Sequence, residues 1–311
     1  MTVEDPVVPT PPYRCSAASL AATEPLDGTA STVRAFLLLE TPGPWGVHAL
    51  REARMDPELR DRLVAVEGRG IRPLLVRRPG RRPRSAGAQL LLAHTPTSRL
   101  YGAELGDPRE LLDLDLASPS SWGGAGLAEL DGPLFLACTH GRHDACCAEL
   151  GRPLAAALAA AAPDETWEVS HIGGDRFAPN VLVLPHGLYY GRLLPAEASA
   201  FVAAHREGRL DLEHLRGRSS YPFAVQAAEI HLRRHLADER VGPFPLLERR
   251  REGTVTTATF VVDGAAWQVQ VESRTAPPAR LTCRATNESA APSHALAGIT
   301  PSGGLSSAVS R

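Results

Sequence analysis

Residues 134–161 read LFLACTHGRHDACCAELGRPLAAALAAA, and this stretch decides the fold class. Leu134 to Ala137 is a short apolar run ending at Cys138, the length and character of a buried strand. The segment from Asp144 to Ala161 is dominated by Ala and Leu, which favour helix. Asp144 stands where an N-cap belongs. Pro153 lies well inside, so the expectation is a separate first turn or a kink. The order is therefore strand, Cys-bearing loop, helix.

The pattern continues outward on both sides. Upstream, Cys15 to Ala22 suits a short helix, and TVRAFLLLE (32–40) reads as a buried strand. Thr41-Pro-Gly-Pro-Trp-Gly46 is a turn. Asp56 to Glu67 places Leu59, Leu63 and Val66 on one helical face. Ile71 to Arg77 and Gln89 to His94 are two further strands. Downstream, Trp167 to His171 is a strand, and Asn180 to Leu184 pairs with Leu188 to Leu193 across Pro185-His-Gly187 as a hairpin. Helices are expected at Ala196 to His205 and Gln226 to Leu236. Thr254 to Val262, Ala265 to Glu272 and Arg280 to Arg284 form an antiparallel meander, with Asp263-Gly264 as its tight turn. No internal repeat is visible. The expected organisation is a disordered tail over 1–12, an N-terminal α/β half over 13–130, a second half over 131–248, a β meander over 249–285 and a disordered tail over 286–311.

Composition limits the function. The 311 residues carry 33 basic and 35 acidic side chains, and every basic residue is Arg. Schiff-base lysines, phosphate-loop lysines and lysine general bases are thereby excluded. The near-neutral charge argues against nucleic-acid binding. No apolar run reaches the roughly 18 residues that span a bilayer. Met1 to Pro12 has neither a basic nor an apolar region, so a secretory signal is not expected, and the expected compartment is the reducing cytoplasm. One local charge cluster stands out: Arg69, Arg72, Arg77, Arg78, Arg81, Arg82 and Arg84. It reads as a solvated loop or as a docking patch for an acidic redox partner.

The chemistry concentrates in residues 138–176. Of five cysteines, Cys138, Cys146 and Cys147 fall within ten residues, whereas Cys15 and Cys283 read as bystanders. Clustered Cys and His in a cytosolic chain point to metal or redox chemistry. A helix N-terminus beside Cys146 and Cys147 favours thiolate. His171-Ile-Gly-Gly-Asp175 offers two further donors. Its Gly173 and Gly174 allow close backbone approach and N–H donation to an anion or sulfide, with Arg176 beside them. Neither the zinc-finger spacing nor the plant-type ferredoxin spacing is present, so spacing alone leaves the group's identity open.

Three strings sharpen this: CTHGRHDACCAELGRP (138–153), WEVSHIGGDRFAPN (167–180) and LPHGLYYGR (184–192), supported by FLLLETPGPWG (36–46) and YPFAVQAAE (221–229). Together they resemble the sucrase/ferredoxin-like family, in its actinobacterial branch, a family that includes the fungal actin-patch-distal protein. The resemblance implies a thioredoxin-like ferredoxin fold of the α/β class. It also implies a [2Fe–2S] cluster, which in the fungal pattern is held by two Cys and two His. Carried over, the ligands are Cys138, Cys147 (or Cys146) and His171. The second His position holds Asp175, so Asp175, Cys146, His140 or His143 supplies the fourth donor. Imidazole ligands raise the potential above that of an all-Cys ferredoxin. An iron–sulfur electron carrier is the leading expectation. A thiol–disulfide protein cycling Cys146 and Cys147, or a zinc-stabilised binding module, are the alternatives. No catalytic residue is assigned. Glycosidase chemistry, which needs paired carboxylates, finds no recognisable pair.

Overall fold

The computed structural model describes residues 12–80, 87–116, 122 and 127–302. Ten strands share one mixed sheet. They are β1 (Ala35–Glu40), β2 (Ile71–Arg77), β3 (Ala88–His94), β4 (Arg99–Leu105), β5 (Ala128–Glu129), β6 (Leu134–Cys138), β7 (Thr166–Val169), β8 (Asn180–Leu184), β9 (Leu188–Gly191) and β10 (Leu215–Arg218). Their order is β10-β9-β8-β6-β7-β2-β1-β3-β4-β5.

Each half of that sheet repeats one plan. In the second half, β6 is parallel to β7 through helix α3 (Ala145–Ala161), and β8 and β9 add antiparallel on the other side of β6. In the first half, β1 is parallel to β2 through helix α2 (Pro57–Glu67), and β3 and β4 add antiparallel beyond β1. The two units join through an antiparallel contact of β2 with β7. This βαβββ plan agrees with the expected α/β class, and in the second half one thiol ends the first strand while two stand in the first turn of the following helix. The repeat is one of topology. The two halves fill the same places with different residues, so the sequence shows no repeat.

Period-two alternation explains how β6 serves two cores. Leu134, Leu136 and Cys138 pack with Phe36, Leu38, Trp167 and Leu182. Phe135 and Ala137 face the other way, against Leu154 and Leu158 of α3. In the first half, Leu59, Leu63 and Val66 of α2 cover Leu37 and Leu39 of β1. Each buried aliphatic side chain contributes about 1.5–3 kcal/mol, more than the roughly 1 kcal/mol of the Asp56 cap on Glu58 and Leu59. Packing therefore decides the helix position. Helix α3 runs unbroken through Pro153, with Asp144 as its N-cap accepting from Cys146 N.

The remaining helices are α1 (Cys15–Ala21), α4 (Ala198–Arg206) and α5 (Phe223–Leu236). Helix α5 bridges to a second, four-stranded antiparallel sheet of β11 (Leu246–Glu252), β12 (Val255–Val262), β13 (Ala265–Thr275) and β14 (Pro292–Ser302). Asp263 and Gly264 both take positive φ, as a two-residue hairpin turn of this hand requires.

Two expectations need correction here. Residues 286–302 are not a disordered tail, because Pro292–Ser302 pairs along β13 through ten register partners. Composition misses this strand because it lies at a sheet edge, rich in Ser, Ala, Pro and Gly with only His294 fully buried, and is held by the backbone ladder. Arg280 to Arg284 is not the third strand of the meander. It lies in the connection between β13 and β14. The expected tail over 1–12 falls, except for Pro12, outside the described residues. Among the described residues, no helix is long and apolar enough to cross a membrane.

One core residue makes stability depend on acid. His205 of α4 is 5% exposed and surrounded by the rings of Phe135, Tyr190 and Phe201. Its Nε2 has no hydrogen-bond partner among the described residues, and burial holds its pKa down to about 4 against an ordinary 6.5. The unfolded chain therefore binds this proton at a higher pH than the folded one. The stabilisation is complete above pH 6.5, falls as pH drops and is lost through pH 4. The expected loss is about 3 kcal/mol. Denaturant unfolding of wild type and His205→Phe across this range checks it, the variant giving the shallower pH profile.

Candidate metal centre

Helix α3 places its first-turn cysteines on different sides, since successive helical residues point about 100° apart. Cys147 turns toward Cys138 at the end of β6. Cys146 turns toward α1 and the β13–β14 connection. The vicinal pair is thus divided between two groups of side chains, and all five cysteines are free thiols.

The first group comprises Cys138, Cys147, His143, His171 and Asp175. Both thiols are 1% exposed. Cys147 donates to Asp175 Oδ1 across 3.2 Å. The same oxygen stands 2.9 Å from His171 Nδ1, and Asp175 Oδ2 stands 3.5 Å from His143 Nε2. The rings of His143 and His171 stack with centroids 3.7 Å apart. Burial alone would push the Asp175 carboxyl up, but the imidazoles of His143 and His171 outweigh it and hold it well below its ordinary value. The contact with Cys147 lowers the Cys138 thiol against the opposing effect of burial, while Cys147 is pushed up. Cys138 is accordingly the readier thiolate of the pair. Asp175 in turn pulls His143 up.

His140 stands differently. Its Nε2 lies 2.6 Å from the Gly46 carbonyl and its Nδ1 accepts from His171 N at 3.2 Å. That pair of contacts fixes the neutral Nε2–H tautomer and engages both nitrogens, and burial lowers its pKa. His140 positions the His171 backbone, whereas His143 remains beside Asp175.

The loop carrying His171 and Asp175 is held by two guanidiniums that sequence reasoning did not single out as site residues. Arg72 donates to the carbonyls of His171 at 2.9 Å and Ile172 at 3.1 Å. Arg216, fully buried, donates to Gly173 O, Asn180 Oδ1 and Thr29 O, and burial lowers its pKa to about 10. This explains the glycine pair. Gly173 and Gly174 have φ of +101° and +79°. A Cβ on Gly174 would lie 2.2 Å from Arg216 Nη2, and one on Gly173 2.5 Å from Ser31 Oγ. Arg176 reaches away to Glu24 at 2.7 Å and over the Phe177 ring.

Outside this group the surface opens as a cleft of about 370 Å³, bordered by Arg51, Glu67, Arg72, His140, His143 and His171. Of the Arg-rich segment, Arg77 pairs with Glu168 at 2.6 Å, and Arg78 donates to Asp164 O and lies over Trp167. Arg81, Arg82 and Arg84 lie outside the described residues.

The second group comprises Cys15, Asp144, Cys146 and Cys283, whose donor atoms all lie within 4.8 Å of one another. This corrects the reading of Cys15 and Cys283 as bystanders. They lie more than a hundred residues from Cys146 on either side, so no local spacing announces them. Only the packing of α1 and of the β13–β14 connection on α3 brings them there.

The sucrase/ferredoxin-like family profile matches residues 26–217. The chain belongs to this family. The matched span holds β1 to β10 save the last residue of β10, and the whole first group. It ends before Cys283 and begins after Cys15. No curated protein and no solved structure matches the chain.

Two buried thiols, an imidazole and a carboxylate converging from three segments make a donor set that suits an iron–sulfur cluster, for which Cys and His are the usual ligands. The ring nitrogen of His171, buried with no well-directed hydrogen bond, suits it as well.

Proposed function

We propose that this chain is a [2Fe–2S] electron-transfer protein of the cytoplasm, its cluster held by Cys138, Cys147 and His171 with Asp175 as the fourth donor. One observation carries the reading. Cys138 from the end of β6, Cys147 from α3, and His171 with Asp175 from the loop after β7 stand together, with both thiols buried.

Such a cluster, when bound, supplies one-electron transfer at a potential set by ligand charge and solvent access. The protein's own groups do the rest. The first turn of α3 presents Cys147 toward Cys138 and Asp175. Arg72 and Arg216 fix the loop carbonyls, so His171 and Asp175 are presented in one orientation. His143 and His171, each a little over a quarter exposed, form the exposed edge beside the cleft, where a redox partner approaches. The proposed partner surface is the segment 69–84. Within it Arg72, Arg77 and Arg78 are engaged internally.

The vicinal thiol–disulfide alternative is disfavoured by the division of Cys146 and Cys147 between two groups. Anaerobic purification tests the proposal. The expected protein is reddish-brown with two irons and two sulfides per chain. Colourless, iron-free protein from cells that load other iron–sulfur proteins contradicts it.

The aspartate sets a further expectation. Two thiolates, one carboxylate and one neutral imidazole carry one more negative charge than two thiolates with two imidazoles, and one less than four thiolates. The potential should fall between those classes. Asp175→His should raise it by on the order of 100 mV, measured by spectroelectrochemical titration. An unchanged potential in a cluster-loaded variant removes Asp175 from the ligand set.

A further inference from the structure

The second group of donors has the dimensions of a closed tetrahedral metal site. The Sγ–Sγ distances are 3.8 Å between Cys15 and Cys146, 3.3 Å between Cys146 and Cys283, and 3.6 Å between Cys283 and Cys15. Cys15 Sγ lies 3.7 and 3.6 Å from the two Asp144 oxygens. A zinc ion with Zn–S of about 2.3 Å and Zn–O of about 2.0 Å sets tetrahedral edges of about 3.8 Å for S···S and about 3.5 Å for S···O. Two thiol pairs and the Cys15–Asp144 contacts fall within about 0.2 Å of those edges, and the Cys146–Cys283 pair is about 0.5 Å shorter.

The surroundings call for a cation. Asp144 is fully buried. Its carboxylate meets the N–H groups of Cys146 at 2.9 Å and Cys283 at 2.6 Å, besides the thiols. No cationic side chain pairs with it among the described residues, and a buried charge without a partner is costly. The two N–H bonds also hold the carboxylate as outer-sphere contacts hold metal ligands. Ser16 Oγ donates to Cys146 Sγ at 3.1 Å, a bond suited to a metal-bound thiolate.

The segments meeting here have little apolar packing of their own. Around the donors the buried contacts are Cys15, Cys146 and Ala178, with Tyr13 and Cys283 at the margin. Helix α1 has seven residues, too few to be stable alone. Polar ties across this junction include Arg14 Nε to Glu149 at 2.7 Å, Tyr13 OH to Arg280 O at 2.7 Å, and Arg284 to Arg142 O at 2.9 Å.

We propose that Cys15, Asp144, Cys146 and Cys283 bind one zinc ion, which ties α1 and the β13–β14 connection to the first turn of α3. Three soft thiolates and one carboxylate suit zinc among divalent ions. With all four positions supplied by protein the site is structural. Binding releases three thiol protons to solvent and forms three Zn–S bonds and one Zn–O bond, with nothing oxidised or reduced. The site shares no ligand with the iron–sulfur group, so either assignment can fail alone. It also anchors Cys146, the neighbour of Cys147, and so fixes the turn that presents a cluster ligand.

Metal content of the full chain, purified without chelator, tests the proposal. Wild type should hold one zinc per chain, replaceable by cobalt(II) with the intense visible bands of a tetrahedral thiolate site. Cys15→Ser and Cys283→Ser should each lose it, while Cys138→Ser keeps it. Zinc retained in both variants, or lost equally in Cys138→Ser, overturns the assignment. A Cys146–Cys283 disulfide in place of the metal does so too. Alkylation mapped on wild type keeps the test decisive where a variant fails to fold. Cys15, Cys146 and Cys283 should become reactive together on chelation and be protected again by added zinc. Reactivity unaffected by the chelator contradicts the site.

Discussion

Cys147→Ser should abolish iron retention and leave zinc in place, while Cys146→Ser, one residue earlier on the same helix, should do the reverse. The contrast follows from α3 geometry. A step of about 100° sends Cys147 to Cys138 and Asp175, at 3.2 Å from the latter, and Cys146 to Cys15 and Cys283. In wild type the two metals should sit one residue apart in sequence yet respond to separate mutations. Iron and zinc counts on the two purified variants, with the visible spectrum of each, read this out. Iron lost in both variants to the same degree would mean that the first turn of α3 acts as one unit and that the division into two groups has no chemical consequence.

Glu229→Ala should destabilise the protein by about 3 kcal/mol, because it removes the only carboxylate beside buried Arg218 among the described residues and one of the two beside Arg233, which keeps Asp238 at 3.6 Å. Glu229 of α5 is 3% exposed, and Arg218 and Arg233 are 2% and 0% exposed. Its Oε1 accepts from Arg233 Nε at 3.1 Å and Nη2 at 2.8 Å, and lies 3.5 Å from Arg218 Nε. Burial would push this carboxyl up. Arg218 and then Arg233 outweigh it and hold the carboxyl below its ordinary value. Without the carboxylate, Arg218 at the end of β10 and Arg233 of α5 lose the counter-charge between them, and Asp238 is left beside Arg233 alone. Glu229→Gln preserves the shape and an acceptor but not the charge, so its loss should be smaller. Urea unfolding monitored by far-UV circular dichroism gives the comparison. An alanine variant within about 1 kcal/mol of wild type would show that water reaches these guanidiniums.

These two sites mark what the sequence could and could not convey. The βαβ units were legible because their signals are local. Leu134 to Cys138 alternates across one strand, Leu59, Leu63 and Val66 recur at helical spacing, and Asp144 caps a helix within two residues of its partner. The grouping of Cys138, Cys147, His171 and Asp175 was legible through the family resemblance, since the family's ligand pattern lies in two short strings. The second group was not. Cys15 and Cys283 are 268 residues apart, and only the packing of two terminal segments on α3 joins them. The same holds for β14, a Ser-, Ala-, Pro- and Gly-rich strand in which only His294 is fully buried and whose backbone completes a sheet. Arg72 and Arg216 were hidden for a different reason. Arg72 stood out only as one charge of a surface cluster and Arg216 not at all, and the carbonyls they hold are what distinguish them.

The most direct test is pulsed electron paramagnetic resonance on dithionite-reduced protein labelled with ¹⁵N at histidine. The expected result is the signal of a reduced [2Fe–2S] centre with strong coupling to one histidine nitrogen, which disappears in His171→Ala and persists in His140→Ala. A reduced centre with no histidine coupling, or no paramagnetic centre in protein that contains stoichiometric iron and sulfide, would contradict it.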